Sequence, residues 1–105
     1  MNDSPMPPVG ITDATGALAL HGSDDVAMAL RDLKAGERIW VQGPTERVEL
    51  ELVEDIPLCH KVALRALMPG QPIRKYGEVI GVTSQATVAG SHVHVHNLKS
   101  QRGRV

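Results

Sequence analysis

One eight-residue scheme recurs three times in this chain: DLKAGERI (Asp32 to Ile39), ALMPGQPI (Ala66 to Ile73) and ATVAGSHV (Ala86 to Val93). Each copy runs from a small or acidic residue through two variable positions to Ala or Pro. Gly follows, then two more variable positions and a β-branched residue. Glycine is free to take a positive φ, so each copy reads as a tight turn that releases the chain into a strand. Spacings of 34 and 20 residues exclude a regular solenoid. Strands beginning at Ile39, Ile73 and Val93 are therefore expected at related places in a compact, pseudo-symmetric β fold. The alternative is one turn type used three times.

At 105 residues, 42% of them apolar, the chain should form one domain with an ordinary core. With no Phe, one Trp (Trp40) and one Tyr (Tyr76), that core must be built from Val, Leu, Ile and Ala. Tyr76 is expected as its largest ring, with the hydroxyl at the edge. A net charge of -1 gives no general attraction to nucleic acid or to acidic membranes. The basic end, Lys99 to Arg104, reads as a solvated tail over residues 99–105. The single Cys59 has no partner for an internal disulfide, which suits a reducing cytoplasm, and is expected as a small buried apolar residue. The N-terminus has neither the positive segment nor the apolar run of a secretory signal, and no stretch approaches the roughly 20 residues of a membrane helix. With three prolines and little to bury, residues 1–15 read as a disordered leader.

After the leader, GALAL (Gly16 to Leu20) reads as a strand leading to His21. GSDDVAMALRDLKAGE has the grammar of a short helix: Ser23 or Asp24 as cap, Asp24 and Asp25 near the dipole's positive end, and Val26, Leu30 and Leu33 on one face. RIWVQG predicts a strand, and ERVELELVED predicts another that buries Val48, Leu50 and Leu52 and wets Glu49, Glu51 and Val53. A second short helix is predicted from about His60 to Leu67. QPIRKYGEVIGVTS then gives one or two strands punctuated by Gly77 and Gly81. The last strand is GSHVHVHNL, Gly90 to Leu98.

That last strand carries three of the five histidines. On a strand His92, His94 and His96 share one face, and Val93 and Val95 mark the core side. Residues two apart lie about 6.6 Å apart and residues four apart about 13 Å. Imidazole nitrogens must come within about 2.1 Å of an ion such as zinc, so at most two of the three can share one metal unless the strand bends. Further ligands would come from His21, His60, Glu78 or a partner chain. The competing reading is a solvated strand face. His60-Lys61 reads either as polar surface or as part of a site, and Lys75-Tyr76-Gly77-Glu78 either as turn material or as a site loop.

DIPLCHKVALRALMPGQPIRKYGEVIGVTSQATVAGSHVHVHNL, Asp55 to Leu98, resembles the small N-terminal SAF domain of the altronate/galactarate dehydratase family. The matching motifs, in order, are DIP (Asp55 to Pro57), HK.AL (His60 to Leu64), KYGE.IG (Lys75 to Gly81) and G.HVHVHN (Gly90 to Asn97). The likeness reaches back through DDVAMALRDLKAGE and covers about Leu18 to Leu98, within a domain spanning 16–98. The family usually has Gly where this chain has Cys59, an aromatic at Leu58, Asp-Ile at Ala86-Thr87 and Glu at Ser91. Cys59 is the consequential departure, because Gly tolerates φ values that Cys does not.

The resemblance implies a mainly β fold with short helices, the β-clip, SAF-like small barrel. It implies a part in dehydrating sugar acids of the altronate or galactarate kind with a divalent metal, usually iron(II). A chain this short would then be the small subunit of a carbon–oxygen lyase, inactive alone and completing a site with a larger catalytic subunit, and a homo-oligomer is a further option. The initiating Met and the leader point to a whole gene product. In this reading His60, Lys61 and His94 are catalytic, Lys61, Lys75 and Asn97 bind the sugar acid, and His92, His94 and His96 hold the metal. Abstracting a proton α to a carboxylate needs a base, and loss of the hydroxyl needs a Lewis or general acid; histidines and a metal meet both needs. Two other readings stand beside it: the small subunit of a sulfolactate sulfo-lyase, and a non-catalytic SAF module for ligand binding or assembly.

Overall fold

Four turns, not three, organise the chain. The structure is a computed structural model that describes residues 15–94 and 96–100. In three of the turns Gly36, Gly70 and Gly90 take φ of 88°, 80° and 86°, and the fourth places Cys59 at φ 71°. The backbone N–H after each of these residues donates to the carbonyl three positions back: Glu37 to Lys34, His60 to Pro57, Gln71 to Met68 and Ser91 to Val88. A positive φ at the third position with this bond defines a type II turn. Each turn is also gripped twice by a neighbouring chain segment. The Gly36 and Cys59 N–H groups donate to Leu52 and Ala29, and those of Gly70 and Gly90 to Thr83 and Ala63. Each of these partners returns its own N–H to the carbonyl of the next turn residue. Just before the turns, Leu33 pairs with Ile56 and Leu67 with Thr87. The turns thus come as two matched pairs, and the first pair includes a turn, at Cys59, outside the three-copy scheme.

Between the turns run nine strands: β1 (Thr15–Leu18), β2 (Val26–Ala29), β3 (Arg38–Gln42), β4 (Arg47–Glu51), β5 (Lys61–Ala63), β6 (Pro72–Lys75), β7 (Glu78–Thr83), β8 (His92–Val93) and β9 (Leu98–Ser100). A curled six-stranded sheet has the order β4-β3-β1-β2-β5-β8, and a three-stranded sheet the order β6-β7-β9. There is no helix among the described residues, so both predicted helices are corrected. The region around Val26 is strand β2, paired antiparallel with both β1 and β5. Its two faces serve different cores. Ala27 and Ala29 pack with Leu33, Ile39 and Ile56, whereas Val26 packs with Ala63, Leu67, Ile73 and Val93. A strand buried on both faces loses its alternation, and four helix-tolerant residues imitate a helix. The His60 region is likewise β5, followed by the Leu67 bridge.

Asp24 and Asp25 do not cap a helix. They are 1% and 7% exposed and join the two sheets. Asp24 accepts from the Gly77 and His21 N–H groups, and Asp25 accepts from the Arg74 N–H and from the Arg65 guanidinium at 2.7 Å. The hairpin so held, β6 to β7, turns through Tyr76 and Gly77 at φ 56° and 81°, the pattern of a type I′ turn. That geometry corrects the core assignment of Tyr76. At the tip of a hairpin the residue stays 40% exposed. Cys59 is exposed rather than buried, because the turn turns its Cβ outward. Leu50 of β4 and Leu52 just past its end reach the core as expected, but Val48, near the hairpin end of this edge strand, is 47% exposed. Residues 1–14 and 101–105, which hold most of the expected leader and tail, lie outside the described residues; Thr15 opens β1, and Lys99 and Ser100 pair with β7.

Candidate functional site

Two of the four turns aim histidines at one point. His60 follows the turn at Cys59, and His92 follows the turn at Gly90 by one residue. Strands β5 and β8 are antiparallel with Lys61 opposite Val93 and Val62 opposite His92. One position outward, that register sets His60 against His94. Their rings stack with centroids 4.4 Å apart at 26°. The His60 and His92 rings are 5.0 Å apart, with Nδ1 of His60 2.8 Å from Nε2 of His92. One ligand nitrogen from each of His60, His92 and His94 lies within 4.8 Å of the others.

The strand stops after Val93. Asn97, 3% exposed, accepts from the His94 N–H through Oδ1 at 2.9 Å and donates from Nδ2 to the His92 carbonyl at 2.9 Å. The chain bends there, with the Leu98 N–H returning to the His94 carbonyl. His96 is consequently exposed, its ring 5.4 Å from that of His92 and tilted by 45°. Of the residues expected to ligate metal, the structure gathers His92 and His94 with His60 and leaves His96 at the margin. Val95, expected on the core side, lies outside the described residues, and Val93 is buried. His21 stands apart, its Nδ1 engaged by the Ser23 hydroxyl at 2.8 Å. Glu78 faces Lys75 across the hairpin.

The remaining candidates form a rim beside the histidines. Lys61 is half-buried on β5, next to Met28 of β2 in register. Lys75 ends β6 with Nζ 4.2 Å from the centre of the Tyr76 ring. The Tyr76 hydroxyl lies 3.8 Å from Sδ of Met28. Burial lowers the pKa of Lys61, with the charge of Lys75 adding to it. Burial also lowers the pKa of His92, followed by the neighbouring His60, His96 and His94, while Glu54 pulls the other way. The pKa of His94 falls for the same first reason, then through His60, Lys61 and His96. Both histidines are therefore held toward the neutral form, which is the form that binds metal. Glu54, which sequence reasoning passed over, accepts from the His92 N–H at 2.7 Å and fixes the start of β8.

Three imidazoles converging from two strands fit a divalent transition ion. Three ligands each about 2.1 Å from one ion stand roughly 3–3.6 Å from one another, so nitrogens within 4.8 Å of one another need side-chain rotation to share an ion. Three protein ligands would leave coordination positions on such an ion open.

Known proteins supply the context. The altronate/galactarate dehydratase SAF domain family matches residues 15–101. An altronate dehydratase of Bacillus subtilis is 41% identical over 83 residues, which are 79% of this chain and 16% of that protein. A galactarate dehydratase (L-threo-forming) of Escherichia coli is 41% identical over 78 residues, 72% of this chain and 14% of the relative. The (2R)-sulfolactate sulfo-lyase subunit alpha of Chromohalobacter salexigens is 33% identical over 87 residues, 79% of this chain and 93% of that subunit. The chain thus spans about a sixth of the dehydratases and nearly all of the sulfo-lyase subunit. With its match over residues 15–101, this chain belongs to the altronate/galactarate dehydratase SAF domain family.

Proposed function

We propose that this chain is the SAF component of a metal-dependent hydro-lyase acting on sugar acids of the altronate or galactarate kind. It shares its site with a larger catalytic chain. The observation that carries the reading is the convergence of His60, His92 and His94 in a domain whose relatives are dehydratases. We read the curled sheet and its paired turns as the β-clip arrangement, and the free Cys59 suits a cytoplasmic setting. No helix among the described residues is long and apolar enough to cross a membrane.

His60, His92 and His94 would hold the divalent ion, iron(II) in the first instance. When bound, the ion supplies Lewis acidity toward the departing hydroxyl. The chain's own groups do the rest of its share. Asn97 and Glu54 fix the backbone from which His92 and His94 project. The 2.8 Å contact between His60 and His92 requires one nitrogen to donate and the other to accept in the metal-free chain, so a single proton is held between them. His94, partly exposed and near Lys61, puts the place where the ion would be held beside the place where Lys61 would take the acid's carboxylate.

The test is calorimetric titration of the chain with iron(II) under anaerobic conditions and with zinc. His60→Ala, His92→Ala and His94→Ala are expected to abolish tight binding, and His96→Ala to retain it. Retention in His60→Ala with loss in His96→Ala would overturn the triad. Turnover of altronate, galactarate and sulfolactate by the reconstituted complex then decides the substrate. One observation favours sulfolactate as a second reading: this chain matches nearly the whole of a separate sulfo-lyase subunit.

A further inference from the structure

Sheet edges offer main-chain groups to any other strand, and this fold blunts most of its edges. Among the described residues β8 spans two residues and β9 three. Strand β6 opens on Pro72, which has no N–H, and its pairing shifts between Ile73 and Arg74. Strand β4 differs: it ends the six-stranded sheet and pairs with β3 over five residues in unbroken register. The Gly43 N–H donates to the Glu46 carbonyl and the Leu52 N–H to the Glu37 carbonyl. Bonding alternates along an antiparallel ladder, so Val48 and Leu50 turn their main-chain groups toward β3, and Arg47 and Glu49 turn theirs out of the sheet. Beyond them Gly90 packs against the Glu51 carbonyl and closes that end of the edge. Val48, between Arg47 and Glu49, is 47% exposed. Arg47 lies over the Trp40 ring at 4.5 Å, and Glu49 is exposed.

We infer that β4 is an interface between two copies of this chain, whose β4 strands pair antiparallel about a two-fold axis at Val48. Charge selects this register. It sets Arg47 of each copy opposite Glu49 of the other, so that the two-fold repeats one favourable pair. Centring on Glu49 would set that carboxylate against itself, and centring on Leu50 would set Glu49 against Glu51, both unfavourable. The main chain agrees, because Arg47 and Glu49 are the residues with outward groups and exchange both N–H···O bonds when they face one another. Val48 then meets Val48 of the second copy in the closer, non-hydrogen-bonded kind of pair, which covers its exposed side chain. The arginine fork can reach a carboxylate while its plane stays on Trp40. The axis lies toward the hairpin end of β4, whereas the chain meets His92 past the other end, through Glu54. Two joined copies therefore leave both histidine clusters accessible. That each cluster then serves a larger chain rests on the hydro-lyase reading; the pairing of β4 does not.

The test is sedimentation equilibrium of the full chain without metal, from about 10 μM to about 1 mM, the range suited to a small strand-edge contact. The chain is expected to pass from its monomer mass of 11.3 kDa to twice that value as concentration rises. Hydrogen exchange at the Arg47 and Glu49 amides should slow over the same range. Glu49→Arg sets arginine against arginine at both pairs, and Arg47→Glu sets carboxylate against carboxylate, so each should weaken association at least about tenfold. An equimolar mixture of these two variants restores opposite charges at both pairs and should associate about as strongly as the wild-type chain. Val48→Lys, at an exposed position, should also weaken association at least about tenfold. Lys34→Gln, away from β4, should change nothing. Amide spectra of every variant verify the fold. A chain monomeric throughout the range, a dimer indifferent to the charge reversals and to Val48→Lys, or folded variants that fail to associate when mixed would overturn the inference. Metal binding plays no part, so a failed metal titration leaves the result standing, and the reverse also holds.

Discussion

Replacing Cys59 by Gly should stabilise this protein. Cys59 occupies the third position of a type II turn at φ 71°, where the three sister turns carry glycine. A side chain with a Cβ in the left-handed region costs roughly 1–2 kcal/mol. Glycine removes that cost but gives back part of it, because the unfolded chain gains freedom equivalent to roughly 0.4–1 kcal/mol. The exposed thiol contributes little burial to lose. The expected net gain is about 0.5–1 kcal/mol, which for a domain of this size raises Tm by roughly 2–8 °C. Thermal and urea unfolding under reducing conditions measure it, with an unchanged urea slope showing that the two end states are the same. Cys59→Ala is the control, since it removes the thiol and keeps the Cβ, and it should be close to neutral. If Cys59→Gly is no more stable than Cys59→Ala, the turn does not hold a strained residue and the equivalence of the four turns fails.

Asp24→Ala should cost about 2 kcal/mol, because it strips the partly buried Gly77 N–H of its acceptor, and hydrogen exchange at Gly77 should accelerate. Glu37 accepts from the Lys34 N–H at 2.9 Å and pairs with Arg31 at 2.9 Å, and its carboxyl titrates below the usual value of 4.5, chiefly through that backbone bond. Its contribution is thus complete above pH 4.5 and disappears as pH falls through the lowered folded value, so the roughly 0.5 kcal/mol deficit of Glu37→Gln at neutral pH should vanish in acid. Zinc at about 100 times its dissociation constant should stabilise the chain by about 2.7 kcal/mol, reversed by EDTA and absent in His60→Ala. A zinc effect that persists in His60→Ala would place the ion elsewhere.

How much of this was legible in the sequence depends on how far apart the interacting residues lie. The turns at Gly36, Gly70 and Gly90 could be read because glycine after Ala or Pro is a local signal. The fourth was hidden by two departures in DIPLCHKV, Leu58 at the Ala or Pro position and Cys59 at the glycine, although its acidic start and β-branched end follow the scheme. The helices were misread for a tertiary reason. Strand β2 lies between two cores, so Val26 and Ala27 are both buried and no period of two survives. The carboxylates of Asp24 and Asp25 looked like helix-capping groups because their partners, at Arg65, Arg74 and Gly77, are 40 to 53 residues away.

The site divides along the same line. Alternation placed His92 and His94 on one face, and strand geometry limited their strand to two ligands of one ion. Whether His60 or His96 became the third depended on two long-range facts. The pairing of β5 with β8 brings His60 and His92, 32 residues apart, into contact. Asn97, buried and spending both ends of its amide on the His92 and His94 backbone, then ends the strand before His96 can follow. That gives Asn97 a specific role as a positioning residue. Asn97→Asp keeps the acceptor for the His94 N–H and loses the donor to the His92 carbonyl, while Asn97→Ala loses both. If the bend sets the triad, metal affinity should fall in the order wild type, Asp, Ala, with each lost hydrogen bond worth about 0.5–1.5 kcal/mol. Equal affinity in all three would mean that the histidines converge without the turn, and that the exclusion of His96 has another cause.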